Sequence, residues 1–155
     1  MEKINNNEVL RNIWNSLDIC ELEMGEIFKM GGYNGDEENI KGILNKENEK
    51  GCSDEIMESF LEGLIVYRRG PSDKKSDVEK EKEKLSNNII LKKLRIAFDL
   101  KGEDMIDVFS FGGMEITKDE LNNLFRKSSH AKYKECSNRH LRAFLKGISF
   151  HIGEV

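Results

Sequence analysis

The amino-acid sequence repeats itself, and this internal duplication restricts the fold more than any other feature. When the chain is displaced by 81 residues, residues 6–44 align with residues 87–125, matching Asn-Asn, Met, Phe and Gly-Gly positions. Beyond that stretch the register becomes 84, and the Cys-Ser pairs that begin at Cys52 and Cys136 align. The change of register falls in a polar stretch, as is typical of a surface loop. The sequence therefore predicts two copies of one structural unit.

The hydrophobic pattern of each copy predicts four helices. Leu10, Ile13 and Leu17 recur at helical spacing in the first of them. A Gly-Gly pair follows the second, where glycine ends a helix because it reaches positive φ without a Cβ clash. Gly63 and Gly147 lie inside the fourth helix, and we expect another helix to pack closely over the bare backbone there. The predicted fold class is all-α, a tandem duplication of a four-helix unit.

The duplication also predicts the domain boundaries. Helical repeat 1 spans residues 1–70, a charged linker spans residues 71–86, and helical repeat 2 spans residues 87–155. The stretch from residue 70 to 86 contains five lysines, five acidic residues and the single proline, but no aromatic side chain. This composition is typical of a solvated spacer, whose later part is predicted to form a short exposed helix.

The sequence lacks the signals of membrane insertion and secretion. No apolar run approaches the roughly 18–20 residues that a membrane span requires, and the polar N-terminus has no signal-peptide core. Three cysteines without paired spacing favour reduced thiols over a disulfide framework. We therefore predict a cytoplasmic protein that does not associate with membranes.

Charge is divided unequally between the copies. The whole chain has a net charge of −4, but residues 1–66 carry −9 and residues 87–155 carry +3. Basic side chains outnumber acidic ones by five between residues 117 and 149. They form the predicted binding face, which consists of Lys118, Arg126, Lys127, Lys132, Lys134, Arg139, Arg142 and Lys146.

Two functions fit this charge distribution. In the first, the chain is a binding or regulatory module that contacts an unidentified partner protein or self-associates, with opposite charges setting the orientation. In the second, the basic face binds RNA or DNA with a helix-turn-helix-like element, made by the second and third helices of copy two. The turn at residues 112–117 is longer than the roughly 3–4 residues usual in that motif, and the third helix of copy one begins with acidic residues. Protein interaction therefore ranks first.

Catalysis and metal binding have little support in the sequence. It contains no nucleotide-binding, hydrolase or metalloprotease motif, so we predict no enzyme activity, catalytic residue or cofactor. Cys52 and Cys136 precede predicted helix caps, where a thiol can be activated, but packing as small buried hydrophobes is favoured. Cys136 and His140 are four residues apart, yet copy one has Ile56 at the histidine position, so no metal site is predicted.

Four stretches of the sequence resemble a known bacterial family. They read "NNIILKKLRIAFDLKGEDMIDVF", "ELNNLFRK", "YKECSNRHLRAFLKGI" and "SFLEGLIVYRRG", and they are similar to the YehS-like proteins, which are classed as a domain of unknown function. The resemblance covers nearly the whole chain. It implies a duplicated all-helical fold in a bacterial cytosolic setting, and it implies neither an activity nor catalytic residues.

Overall fold

The computed structural model describes residues 3–45, 51–71 and 84–153, and these residues form eight α-helices and no strand. Copy one contributes α1 (Asn6–Leu17), α2 (Glu21–Met30), α3 (Glu37–Leu44) and α4 (Asp54–Arg69). Copy two contributes α5 (Asn87–Ala97), α6 (Gly102–Phe111), α7 (Lys118–Leu124) and α8 (Asn138–Gly153). The predicted all-α fold, a tandem duplication of a four-helix unit, is confirmed. A search of the helices in these ranges found none with the length and apolar character that a bilayer span requires.

Helix starts are fixed by side-chain caps. The Asp36 carboxylate accepts from the backbone N–H of Asn39 at 2.9 Å, and the Thr117 hydroxyl accepts from that of Glu120 at 3.1 Å. Each bond satisfies a backbone donor that has no partner within the first helical turn. The two copies therefore begin their third helices in the same way.

The two glycines of each Gly-Gly pair have different roles. Gly32 and Gly113 have φ of 91° and 88°, whereas Gly31 and Gly112 have φ of −87° and −81°. The prediction that both glycines supply positive φ is therefore right only for the second of each pair. A Cβ atom on Gly31 would lie 1.6 Å from the carbonyl oxygen of Ser59. The first glycine is needed because the fourth helix of the same copy approaches too closely for a side chain.

Helix two and helix four of each copy meet through facing glycines. A Cβ atom added to Gly63 would lie 1.8 Å from the carbonyl oxygen of Ile27, and one added to Gly147 would lie 1.8 Å from that of Val108. Real Cβ atoms do not approach other heavy atoms this closely. The predicted packing of another helix over Gly63 and Gly147 is confirmed, and the helix concerned is α2 in copy one and α6 in copy two.

The first helix of each copy packs on the fourth helix of the other copy. Thus α1 lies against α8, and α5 lies against α4, while α2 and α6 pack on the fourth helix of their own copy. Buried side chains from both copies form one hydrophobic core. Because the exchange is reciprocal, the two copies form a single packed body rather than two independent bundles.

The repeated Asn-Asn pair connects the first helix to the segments around it. In copy two, the Nδ2 of Asn88 donates to the carbonyl oxygens of Leu124 and Lys134, both at 2.9 Å. Its Oδ1 accepts from the backbone N–H of Cys136 at 2.8 Å. In copy one, Asn7 accepts in the same way from Cys52, at 2.8 Å. One side chain thereby fixes both ends of the loop between the third and fourth helices.

The end of the predicted linker contacts copy two. The side chain of Leu85 is 3% exposed and belongs to the core, and the Ser86 hydroxyl accepts from the backbone N–H of Ile89 at 3.3 Å. Ile4, which is the equivalent residue in copy one, is 1% exposed. Residues 72–83, which include most of the linker and its predicted helix, lie outside the described residues.

Candidate functional site

The eight basic residues of the predicted binding face lie in three places. Arg126, Lys127, Lys132 and Lys134 lie in the loop between α7 and α8. Arg139, Arg142 and Lys146 lie on α8, at spacings that place them on one face of the helix. Lys118 begins α7 and lines an open groove of about 370 Å³, together with Lys101 at the start of α6. The strongest local concentration of positive charge is therefore the α7–α8 loop, and we call residues 126–134 the basic loop.

Arg142 is engaged within the molecule. Its Nε and Nη2 donate to the two carboxylate oxygens of Glu8 on α1, at 2.8 and 3.1 Å. The hydrogen bond from Arg142 is the main cause of the lowered pKa of Glu8. This predicted binding residue thus joins the two copies through a bidentate ion pair.

Further polar contacts connect the acidic copy to the basic copy. Lys93 on α5 forms an ion pair with Glu62 on α4. Arg68 donates from its Nε to the carbonyl oxygen of Ala97 at 3.2 Å, and its guanidinium lies 4.5 Å from the centre of the Phe98 ring. Some acidic side chains of copy one and basic side chains of copy two are therefore paired with each other where the two copies meet.

The backbone of the basic loop is held by a series of hydrogen bonds. The N–H of His130 donates to the carbonyl oxygen of Lys127 at 2.9 Å, and the N–H of Tyr133 donates to that of His130 at 3.0 Å. The N–H of Lys134 donates to the carbonyl oxygen of Asn123 at 3.0 Å. With the bonds from Asn88 on α5, both ends of the loop are fixed to the helical core.

The cationic side chains of the basic loop differ in their partners. Lys134 lies 3.6 Å from a carboxylate oxygen of Glu120, and the Nε of Arg126 donates to Oδ1 of Asn123 at 2.8 Å. Lys127 and Lys132 are exposed. Within residues 3–45, 51–71 and 84–153, no carboxylate forms an ion pair with Arg126, Lys127 or Lys132. In the described part of the chain these three cations therefore have no carboxylate counter-ion.

The basic loop has no equivalent in copy one. The corresponding stretch, residues 45–51, is shorter by three residues and contains two glutamates but neither arginine nor histidine. Of these, residues 46–50 lie outside the described part of the chain. The insertion that distinguishes the copies is therefore also the segment in which the positive charge is concentrated.

The third helix of copy two does not have the features of a DNA-reading helix. α7 contains seven residues, and Asp119 and Glu120 lie in its first turn. The N-terminal part of a recognition helix normally contacts base edges and phosphates, which carboxylates repel. This geometry gives the helix-turn-helix-like interpretation no support.

The two repeated cysteines are packed in the core. Cys52 is 8% exposed and Cys136 is 2% exposed. Burial raises the pKa of each thiol to about 12. At neutral pH both are therefore protonated, and their environment favours packing over nucleophilic chemistry.

The contacts of His140 account for the position of its side chain without a bound metal. Its Nδ1 lies 2.5 Å from the Ser137 hydroxyl, and its ring packs edge-on against Phe109 at a centroid distance of 6.4 Å. Burial is the main cause of its lowered pKa. In the part of the chain that the structure covers, no three His, Cys, Asp or Glu side chains are grouped so that they could hold a metal ion.

Comparison with known proteins places these features in a family. The sequence profile described as "Protein of unknown function (DUF1456)" matches residues 6–70 and 87–152, one match for each copy. The "Uncharacterized protein YehS" of Escherichia coli (strain K12) is 34% identical over 146 residues, which cover 92% of this chain and 93% of that protein. No solved structure matches the chain significantly. The resemblance predicted from the sequence is confirmed, and the chain belongs to the DUF1456 family of proteins of unknown function.

Proposed function

We propose that the chain is a non-enzymatic binding protein that contacts an acidic segment of a partner protein through the basic loop. The observation that supports this proposal is the set of three cations, Arg126, Lys127 and Lys132, that have no ion pair in the described residues and lie on a hydrogen-bonded loop. A loop whose backbone is already fixed loses little conformational freedom on binding, so more of the interaction energy contributes to affinity.

The distribution of charge favours a partner with a short acidic segment over a nucleic acid. The chain as a whole carries −4, and residues 1–66 of copy one carry −9. A long polyanion that followed the surface beyond the basic loop would meet this negative charge. Nucleic-acid affinity also depends on neutralising several phosphates in succession, whereas the basic loop supplies only three cations that lack an ion pair in the described residues. Binding of RNA or DNA through the same loop is the alternative function.

The proposal includes a cytosolic location and a regulatory rather than a catalytic role. Cys20, Cys52 and Cys136 are all free thiols, and free thiols are typical of a reducing compartment. The buried thiols of Cys52 and Cys136 and the half-buried, hydrogen-bonded His140 offer no obvious pair of nucleophile and base. We therefore propose that the protein acts by binding a partner at its surface.

Affinity capture with the tagged full-length chain tests this function. Proteins retained by the unaltered chain are compared with those retained after charge reversal of the basic loop (Arg126→Glu, Lys127→Glu and Lys132→Glu). A matched control reverses three exposed basic residues outside the loop, Lys118→Glu, Arg139→Glu and Lys146→Glu. We expect a partner that the loop variant loses and the control keeps.

Three results would contradict the proposal. A partner set that is unchanged by reversal of the loop would show that the loop is not the contact surface. Loss of all captured proteins after nuclease treatment would favour the nucleic-acid alternative. Light scattering on the purified chain measures its oligomeric state. A dimer that is present in the unaltered chain and absent in the loop variant would identify self-association in place of a separate partner.

A further inference from the structure

Two donor groups face the ring of His130 in the basic loop. The backbone N–H of Lys132 donates to Nδ1 of His130 at 3.0 Å. On the other side of the ring, Nη1 of Arg126 lies 3.5 Å from Nε2. A neutral imidazole has one nitrogen that accepts and one that donates, so the ring can accept from only one of these two groups.

The shorter contact decides which nitrogen accepts. A backbone N–H at 3.0 Å has ordinary hydrogen-bond geometry, which favours Nδ1 as the acceptor and, in a neutral ring, the hydrogen on Nε2. The Nε2–H of His130 and the Nη1–H of Arg126 then face each other, 3.5 Å apart. Two donors turned towards one point need an acceptor that neither residue supplies.

We propose that Arg126 and His130 form a binding site for a phosphoryl group. An oxygen about 2.8 Å from each nitrogen, the usual length of a charge-assisted hydrogen bond, completes a triangle whose third side is the observed 3.5 Å separation. The site is preorganised, because the Nε of Arg126 is held by Asn123 and the ring is held by the backbone of Lys132. This inference rests on the proposed function and names the chemical group that anchors the partner.

The local charge favours a phosphoryl dianion over a carboxylate. Arg126, Lys127 and Lys132 are three cations within seven consecutive residues, and none is paired with a described carboxylate. A phosphorylated side chain carries about −1.5 to −2 charge and three acceptor oxygens. It can therefore use the two converging donors and the neighbouring ammonium groups together, as clusters of basic residues do in phosphopeptide recognition.

Nuclear magnetic resonance on the unaltered full-length chain tests the geometry directly. Long-range ¹H–¹⁵N correlation reports which ring nitrogen of His130 carries the hydrogen. We expect the Nε2–H tautomer, together with saturable shifts of the His130 ring and the Lys132 amide when inorganic phosphate is added. The Nδ1–H tautomer would overturn the proposal, because Arg126 would then donate to Nε2 and the two groups would no longer be converging donors. The absence of saturable shifts would overturn it as well.

A pair of matched variants tests the site's chemistry. Arg126→Gln removes the converging donor and should weaken phosphate binding about tenfold or more, as expected for the loss of a hydrogen bond to a charged group. Lys92→Gln removes an exposed charge on α5 and should leave the affinity unchanged. Equal weakening by both variants would show that only the general charge of copy two attracts the anion.

Three probes identify the source of the phosphoryl group. A phosphoserine peptide should bind more tightly than the same peptide with glutamate in place of phosphoserine. Equal binding of both peptides would overturn the preference for phosphate, and tighter binding of a single-stranded RNA of similar length would overturn the protein partner. If phosphate binds as described while affinity capture finds no partner that depends on the loop, the site stands and the proposed function fails.

Discussion

Replacing Gly63 by alanine should destabilise the protein because the backbone of α2 occupies the space that the new methyl group needs. The added Cβ atom would start 1.8 Å from the carbonyl oxygen of Ile27 and would have to move to at least 3.4 Å for an ordinary contact. The two helices would therefore separate by about 1.6 Å at this point. That displacement would also loosen the Phe28–Phe60 ring contact between α2 and α4, at a centroid distance of 5.0 Å.

Two opposing effects determine how much Gly63→Ala lowers the free energy of unfolding. Overpacking of a well-packed core costs about 1–3 kcal/mol, and the obstacle here is backbone, which places the cost at or above the upper end. Alanine in a helix interior is favoured over glycine by about 1 kcal/mol. The expected net loss is about 2 kcal/mol in the free energy of unfolding, which lowers Tm by about 4–8 °C in a chain of this size.

Gly25→Ala is the matched control. Gly25 is also a buried helical glycine, but its Cβ atom would first meet the Cδ1 of Ile40 at 3.6 Å, which is an ordinary contact. We expect this variant to be equal to the unaltered chain or more stable by up to about 1 kcal/mol. Both variants are compared by thermal and urea unfolding followed by circular dichroism. If Gly63→Ala melted at or above the temperature of Gly25→Ala, the close helix contact would be refuted.

Three further predictions concern separate parts of the molecule. Glu8→Gln should remove up to about 1 kcal/mol of stability at neutral pH, as expected for a half-exposed ion pair. Because the pKa of Glu8 is lowered in the folded state, the difference in stability from the unaltered chain should shrink as the pH falls through that pKa. A difference that stays constant in urea unfolding at acid pH would contradict this. A thiol reagent at pH 8 should modify exposed Cys20 rapidly, and Cys52 and Cys136 only in denaturant, because burial raises both pKa values to about 12; rapid labelling of three thiols would refute their burial. Asn88→Ala removes an acceptor and a donor that together make three hydrogen bonds, and it should lower the free energy of unfolding by about 1–3 kcal/mol. The specific sign is faster hydrogen exchange at the Cys136 amide, and unchanged exchange there would contradict the prediction.

The helices could be predicted from the sequence because their signals are local. The spacing of Leu10, Ile13 and Leu17 defines a helical face within eight residues, and Asp36 and Thr117 cap helices that begin at the next position. The close approach over Gly63 could be predicted as well, because an interior glycine that both copies carry indicates a contact. Such signals need no knowledge of how distant segments are arranged.

The arrangement of the copies could not be predicted in this way. The ion pair between Glu8 and Arg142 joins residues 134 positions apart, and neither residue differs in character from many other charged residues in the chain. The sequence predicted a basic face of eight residues. It could not show that Arg142 forms an ion pair with Glu8 on α1, whereas three residues of the basic loop form no ion pair with a described carboxylate. The contacts of Arg126 and His130 depend on the backbone path of a loop with no periodic pattern. The Asn-Asn repeat was the one available signal for the fixed loop ends, and its hydrogen-bonding role was missed.

The pairing of α1 with α8 has a consequence for how the chain is made. Since α1 (Asn6–Leu17) leaves the ribosome well before α8 (Asn138–Gly153), the part of the apolar stripe of α1 that packs on α8 stays exposed until α8 has been synthesised. Domains commonly fold in order as they emerge, but here α1 completes its packing only with a helix that is synthesised much later. A truncated product that stops before α8 would therefore expose that stripe and become a target for chaperones or proteases.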